Sequence, residues 1–334
     1  MVSPVLKFIL AALVIVGAGT LLTRYADAIA DLTKLGRLLV GSVFLAAATS
    51  LPELAVDVSA ARLHLPDIAV GDLFGSSLFN LLILAVLDLT HHCRGRMLSR
   101  ASAAHALSAT TSIALMAVAG IAIFTALPFT VGPLGVGSLV ILAAYLLGMR
   151  LTYYDQQFAA RQVEGGPPNV LVPAKTVTLR RAIVGYLVAA GVILVTAPML
   201  AGAADELAEK TGLGRTFIGT TMVALSTSLP ELVTTLTAVR LGAFDLALGN
   251  IFGRNAFNMM LLVPVDLAYS GSLLAEVSRK HVLTCFAGIL ITAVAVLGQL
   301  YRVESRIRLL EPDAWLVIVL VFGTLGLIYY LPAT

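Results

Sequence analysis

The stretch Ala48-Thr49-Ser50-Leu51-Pro52-Glu53-Leu54 returns later in the chain as Ser226-Thr227-Ser228-Leu229-Pro230-Glu231-Leu232, with one difference, at its first position. The match extends outward on both sides. Residues 35–80 align with 213–258 at a constant offset of 178 without a gap, and 21 of the 46 pairs are identical, more than a shared apolar composition gives. A second dense block pairs Gly71-Asp72-Leu73-Phe74-Gly75-Ser76-Ser77-Leu78-Phe79-Asn80 with Gly249-Asn250-Ile251-Phe252-Gly253-Arg254-Asn255-Ala256-Phe257-Asn258. Asp88 and Asp266 correspond at the same offset. The chain is therefore built from two copies of one unit, and repetition of this kind is read before any other feature.

The medium in which those copies fold follows from composition. Of the 334 residues, 59% are hydrophobic and 12% charged, whereas a soluble domain is about a quarter charged. Apolar runs of about 20 residues, the length that crosses a bilayer, are placed near 4–22, 38–60, 67–89, 101–124, 128–149, 182–203, 216–238, 245–268, 281–300 and 314–331. The first run is longer than a signal-peptide core and is read as a span. The expectation is an all-α integral membrane protein of ten transmembrane helices. The repeated segments fall in spans two and three and again in seven and eight. Five spans separate them, and five is odd, so the copies enter the membrane from opposite sides, an inverted-topology repeat. The halves are 1–149 and 182–334, joined by a polar connector at 150–181 that contains Gly165-Gly166-Pro167-Pro168. Six Lys and Arg fall on the side of the termini and fifteen on the other, with Arg254 inside a span. The positive-inside rule puts both termini outside and the connector in the cytoplasm.

Glu53 and Glu231 sit mid-span, where a carboxylate costs about 2.5–3.5 kcal/mol on insertion scales. Each needs a partner or a wet cavity, and Arg254 is the one basic residue available within the membrane. Pro52 and Pro230 cannot donate a backbone bond to the residue four before, which frees the carbonyls of Ala48 and Ser226. Free carbonyls, carboxylates and hydroxyls are the all-oxygen surroundings that a hard cation takes. Ala46, Thr49, Ser50, Glu53 and Asp57 share a helix face at three- and four-residue spacing. Ala224, Thr227, Ser228, Glu231 and Thr235 repeat that face. Asp72, Ser76 and Asn80 form a stripe on the third span, where Gly71 and Gly75 permit close helix approach. Asn250, Arg254 and Asn258 form its counterpart on the eighth.

On these motifs the two copies resemble the alpha-repeats of the calcium/cation antiporter superfamily, the sodium/calcium exchangers and their prokaryotic relatives. The resemblance covers both repeats closely and the other spans by topology. It implies ten spans in two inverted halves and a ligand diamond from spans two, three, seven and eight. Glu53 and Glu231 match the paired glutamates that bind calcium and sodium. Thr49, Ser50, Thr227 and Ser228 match the hydroxyl and carbonyl ligands beside them, and Ala46 and Ala224 the carbonyl donors. Ser76 matches the serine of the first Gly-Ser-Asn motif, and Asn80 and Asn258 the polar residues that close the diamond. The implied function is exchange of calcium for sodium or protons by alternating access, with inorganic cations and the lipid bilayer as partners. No cofactor is implied. The localisation that follows is a prokaryotic plasma membrane. A magnesium or other divalent exchanger on this scaffold, and a non-transporting membrane protein with an exchanger fold, are the alternatives.

Three departures bear on mechanism. Arg254 stands where the second repeat of the family carries a coordinating serine. Asn258 is an amide where sodium/calcium exchangers often have an aspartate. Asp57 and Asp72 are acids where the second copy has Thr235 and Asn250. Arg254 is read as a tethered cation that pairs with Glu53, Glu231, Asp57 or Asp72 and removes one ion site; the alternative is that it turns away to cap Asp266. Asp57 and Asp72 are read either as proton-titrating partners or as a local salt bridge to Arg254. Asp67 and Asp245 are expected as N-caps. The five histidines are expected at the membrane interface, and Trp315, Tyr329 and Tyr330 in the aromatic belt. Cys93 and Cys285 have no metal-ligand spacing. No phosphate loop, nucleophile elbow or nucleic-acid module is present, so an enzyme is not expected.

Overall fold

The computed structural model describes residues 4–33, 40–90, 103–162, 178–240, 244–300 and 312–331. Helix α1 (Pro4–Thr33) is followed by α2 (Val40–Arg62), α3 (Pro66–Thr90), α4 (Ala103–Thr125) and α5 (Val136–Gln162). The second half runs α6 (Leu179–Thr211), α7 (Arg215–Ile218), a π-turn (Gly219–Val223), α8 (Ala224–Arg240), α9 (Phe244–Ala268), α10 (Leu273–Glu276), α11 (Lys280–Leu300) and α12 (Pro312–Tyr330). Six helices are long and apolar enough to cross a membrane: α1, α3, α4, α6, α11 and α12. The helices that bear the Leu-Pro-Glu motifs, α2 and α8, are not among them: α8 has 17 residues, and the side chains at 41–49 of α2 lie outside the described residues.

The fifth apolar stretch begins later than expected. Residues 128–135 form a short hairpin, β1 (Thr130–Val131) against β2 (Leu134–Gly135), before α5 opens at Val136. Gly132 takes a left-handed φ of 63° at the turn, and Pro133 beside it has no N–H to give a helix. At its other end α5 continues to Gln162 and α6 opens at Leu179, so the edges of the expected connector are helical.

Solvation is inverted relative to a soluble protein. Leu13, Leu147, Val195 and Phe322 are exposed on the periphery, while Glu53, Asp57, Asp72, Glu231, Arg254 and Asp266 are buried. Two close approaches hold the polar centre. Gly19 on α1 lies against both motif prolines: a β-carbon there would stand 2.9 Å from Pro230 Cγ and 3.2 Å from Pro52 Cγ. Gly71 and Gly75 let α3 lie on the π-turn. A β-carbon on Gly71 would stand 3.0 Å from the Thr220 nitrogen, and one on Gly75 would overlap the Thr220 carbonyl and reach 2.7 Å from the Ala224 methyl.

The described connectors gather at one end of the bundle. Lys7 pairs with Glu206 at 2.9 Å, and Lys280 Nζ donates to the Leu331 carbonyl at 2.6 Å. Asp266, buried, accepts from the backbone N–H of Gly135 at 2.7 Å and of Leu273 at 2.8 Å. Tyr269 donates to Glu276, and burial followed by that carboxylate pushes its hydroxyl up to about 12. Asp67 departs from the N-cap expectation. The helix opens at Pro66, a favoured first position, so Asp67 lies inside the first turn. Its carboxylate reaches across to α11, accepting from the Ser278 N–H at 2.7 Å and lying 3.2 Å from His281 Nε2. His281 is therefore buried, at the start of α11, and His64 is exposed. The histidines at 91 and 92, and the side chains of His105 and Asp245, lie outside the described residues.

A buried carboxylate and arginine centre

The two repeats meet beside the prolines inside α2 and α8, which both lie against Gly19. Glu53 from α2 and Glu231 from α8 are each 1% exposed, and both approach the same guanidinium nitrogen. Arg254, on α9, enters between them. Its Nη1 is 2.5 Å from Glu231 Oε1 and 4.0 Å from Glu53 Oε1. Asn250, one turn earlier on α9, accepts from Arg254 Nε at 3.3 Å and donates to Thr235 Oγ1 at 3.3 Å. The guanidinium is thus held at two of its nitrogens and aimed at the glutamate pair. It does not turn away toward Asp266, whose carboxylate serves the backbone at the bundle end.

A second cluster joins α3 to α8. Thr227 Oγ1 donates to Asp72 Oδ1 at 2.7 Å, with Ser76 Oγ 3.4 Å from the same oxygen. Ser228 Oγ donates to Ser76 Oγ at 2.8 Å. Asp57, one turn beyond Glu53 on α2, is fully buried, and Asp72 is its leading charged neighbour. Arg254 pairs with the glutamates, so the expectation of a salt bridge from Asp57 or Asp72 to this arginine gives way to carboxylate facing carboxylate. Neither oxygen of Asp57, nor Asp72 Oδ2, has a hydrogen-bond partner among the described residues.

Other expected residues fall around this centre. Ser50 and Asn258 are buried. Asn80 Nδ2 donates to Asn255 Oδ1 at 2.9 Å, and Asn255 Nδ2 to the Ser77 carbonyl at 3.1 Å. The carbonyl of Ala224 lies 3.3 Å from Thr227 Oγ1. Ala46 and Thr49 belong to α2, but their side chains lie outside the described residues. Among the described residues, no three His, Cys, Asp or Glu side chains converge as a metal centre. That fits the placement of Arg254, which puts a positive charge between the two glutamates.

Two participants escaped sequence reading. Asn255 ties the stripes of α3 and α9 together, yet it aligns with a serine and stands beside the more conspicuous Arg254. The π-turn has no sequence pattern; turns of this kind recur at functional sites, and here Gly219 and Thr220 are where α3 touches down.

The profile of a family described as sodium/calcium exchanger protein matches residues 3–154 and again 181–333. The two matches begin 178 residues apart, the offset of the internal repeat. Sodium/calcium exchanger MaX1 of Methanosarcina acetivorans is 35% identical over 114 residues, 33% of each chain. Inner membrane protein YrbG of Escherichia coli is 29% identical over 238 residues, 68% of this chain and 67% of that one. Among solved structures, the H+/Ca2+ exchanger CAX superposes with a TM-score of 0.63 at 15% identity, over 98% of this chain and 89% of the other. That likeness is one of fold.

Proposed function

This chain belongs to the sodium/calcium exchanger family, and on that premise we propose that it is a secondary antiporter carrying calcium, or a divalent cation of like chemistry, in exchange for sodium or protons. The observation that carries the reading is the meeting of Glu53 and Glu231 at one buried centre, one from each sequence copy. A family profile that matches twice supports descent of the halves, 1–149 and 182–334, from one unit. Ten spans in inverted halves account for the contacts at the bundle end, where residues 7, 67, 135, 206, 278 and 331 are drawn together. This end holds the termini and is read as external, with the 150–181 connector cytoplasmic, in a prokaryotic inner membrane.

The cargo ion is held by oxygens of Glu53, Glu231, Thr49, Ser50, Thr227, Ser228, Ser76, Asn80 and Asn258, with carbonyls of Ala46 and Ala224. Asp57, Asp72, Asn250 and Arg254 adjust the charge of the site. Arg254 acts as a tethered cation. Its charge stays beside the glutamates permanently, because a guanidinium does not lose its proton in a protein, and so it replaces one coupling ion. Alternating access follows from cost. Unpaired carboxylates cannot cross a dry, closed state, so the centre moves only when its charge is matched.

The reading is tested by radiolabelled calcium uptake into vesicles under an imposed sodium or proton gradient. Uptake driven by one of the gradients and lost in Glu53→Gln is the expected result. Uptake driven by neither, alike in wild type and Glu53→Gln, would mean that the fold is kept without transport.

A further inference from the structure

The two copies carry matching pairs of positions, 57 with 72 and 235 with 250. In the second copy these are Thr235 and Asn250, joined by a neutral hydrogen bond of 3.3 Å. In the first copy they are Asp57 and Asp72, both fully buried, with Asp72 the leading charged neighbour of Asp57. The same geometry that closes a neutral bond in one half sets two carboxyls face to face in the other.

Among the described residues, no positive group answers that charge. The charged groups that face Asp57 are Asp72 and Glu53, both acidic. Arg254 is engaged with Glu231 and Asn250. Three carboxylate oxygens, both of Asp57 and Oδ2 of Asp72, are sealed from solvent without a donor among the described residues. A buried unpaired carboxylate costs several kcal/mol, and a fully buried acid whose two oxygens lack partners points at something that would supply positive charge. Around it stand hard oxygen donors: Thr227 and Ser76 beside Asp72 Oδ1, and Ser228 on Ser76. This is the chemistry of a small hard cation, carboxylates and hydroxyls with no nitrogen or sulfur.

We propose that the Asp57–Asp72 pair, with Thr227 and Ser76, is a cation seat of its own, and that it takes the divalent cargo displaced from the Glu53–Glu231 pair by Arg254. The inference rests on the transport reading above and relocates its cargo. Asp57 lies four residues beyond Glu53, one helical turn of about 5.4 Å along α2, in the direction of the end where Arg62 and Asp67 lie. The seat is therefore an outward step from the glutamates. The arginine fills the inner position of a two-position site and the ion fills the outer one.

The test is equilibrium binding of radiolabelled calcium to the full chain in nanodiscs. Wild type is expected to bind one calcium, and Asp57→Asn to lose affinity by at least about tenfold, a difference of roughly 1.4 kcal/mol. Arg254→Ser opens the inner position and is expected to bind two. Arg254→Ser with Asp57→Asn is expected to keep one, which shows that Asp57→Asn folds and that the lost seat is the outer one. A calcium-dependent rise in unfolding temperature, present in wild type and absent in Asp57→Asn, is the second readout. Equal binding by wild type and Asp57→Asn would overturn the seat and leave a shared proton between the two aspartates. Intact binding without uptake into vesicles would remove the transport reading and leave the seat standing. Intact uptake with binding indifferent to Asp57→Asn would do the reverse.

Discussion

Replacing Arg254 with serine gives the second repeat the residue that the first carries at Ser76, and it takes away the positive charge between two buried glutamates. The size of the effect follows from the geometry. The guanidinium lies 2.5 Å from Glu231 and 4.0 Å from Glu53, its side chain is 8% exposed and those of the glutamates 1%, so solvent screens little of the interaction. Breaking a buried ion pair by removing one partner costs about 3–5 kcal/mol, because the other charge stays behind unpaired. Arg254→Ser is therefore expected to lose about 3–5 kcal/mol in reversible unfolding in mixed micelles with choline as the only cation. Calcium would refill the vacated position, and at about a hundred times its dissociation constant it restores about 2.7 kcal/mol. Arg254→Lys keeps the charge but loses the fork that grips Glu231 and Asn250 together, and its loss should be the smaller of the two. A loss below about 1 kcal/mol in Arg254→Ser, the scale of an exposed pair, with no greater response to calcium than wild type, would refute the reasoning.

Three further outcomes are expected. Gly75→Val drives a branched side chain into the Thr220 carbonyl and the Ala224 methyl; overpacking of this kind costs about 1–3 kcal/mol, and calcium uptake should fall because α3 can no longer lie on the π-turn. Asp266→Ala strands the N–H groups of Gly135 and Leu273, at about 1–3 kcal/mol for each buried donor left unpaired, read as a loss of unfolding free energy. Lys7→Ala breaks a pair whose partners are 47% and 43% exposed, and solvent screening should leave its unfolding free energy indistinguishable from wild type in the same assay.

The centre of the molecule was open to sequence reading because its signals are local and come twice. A proline beside a glutamate in an apolar run, repeated at one offset, points to two kinked helices with acids to satisfy. The pairing of Arg254 with a glutamate was foreseeable, because it is the basic residue that the repeat alignment sets in the same stripe as Asn250 and Asn258. Contacts between distant parts of the chain were not legible. Nothing local to His281 shows that α11 folds against α3 and places it beside Asp67, 214 positions away. Gly19 gives no sign, in the sequence, of packing on Pro52 and Pro230 together. Asp57 and Asp72 were visible as extra acids, but their orientation toward each other, and away from Arg254, depends on how α2 and α3 cross. The hairpin before α5 hid in a stretch whose apolar residues mimic a span, although Gly132 and Pro133 mark the break.

The proposed role of Arg254 is that of a fixed positive charge standing in for a coupling ion between the glutamates of the two repeats. Its most direct test is the reversal potential of calcium exchange in proteoliposomes, which counts the monovalent charges moved per calcium. Arg254→Ser is expected to move one more coupling ion per calcium than wild type. The same count in both proteins would contradict it.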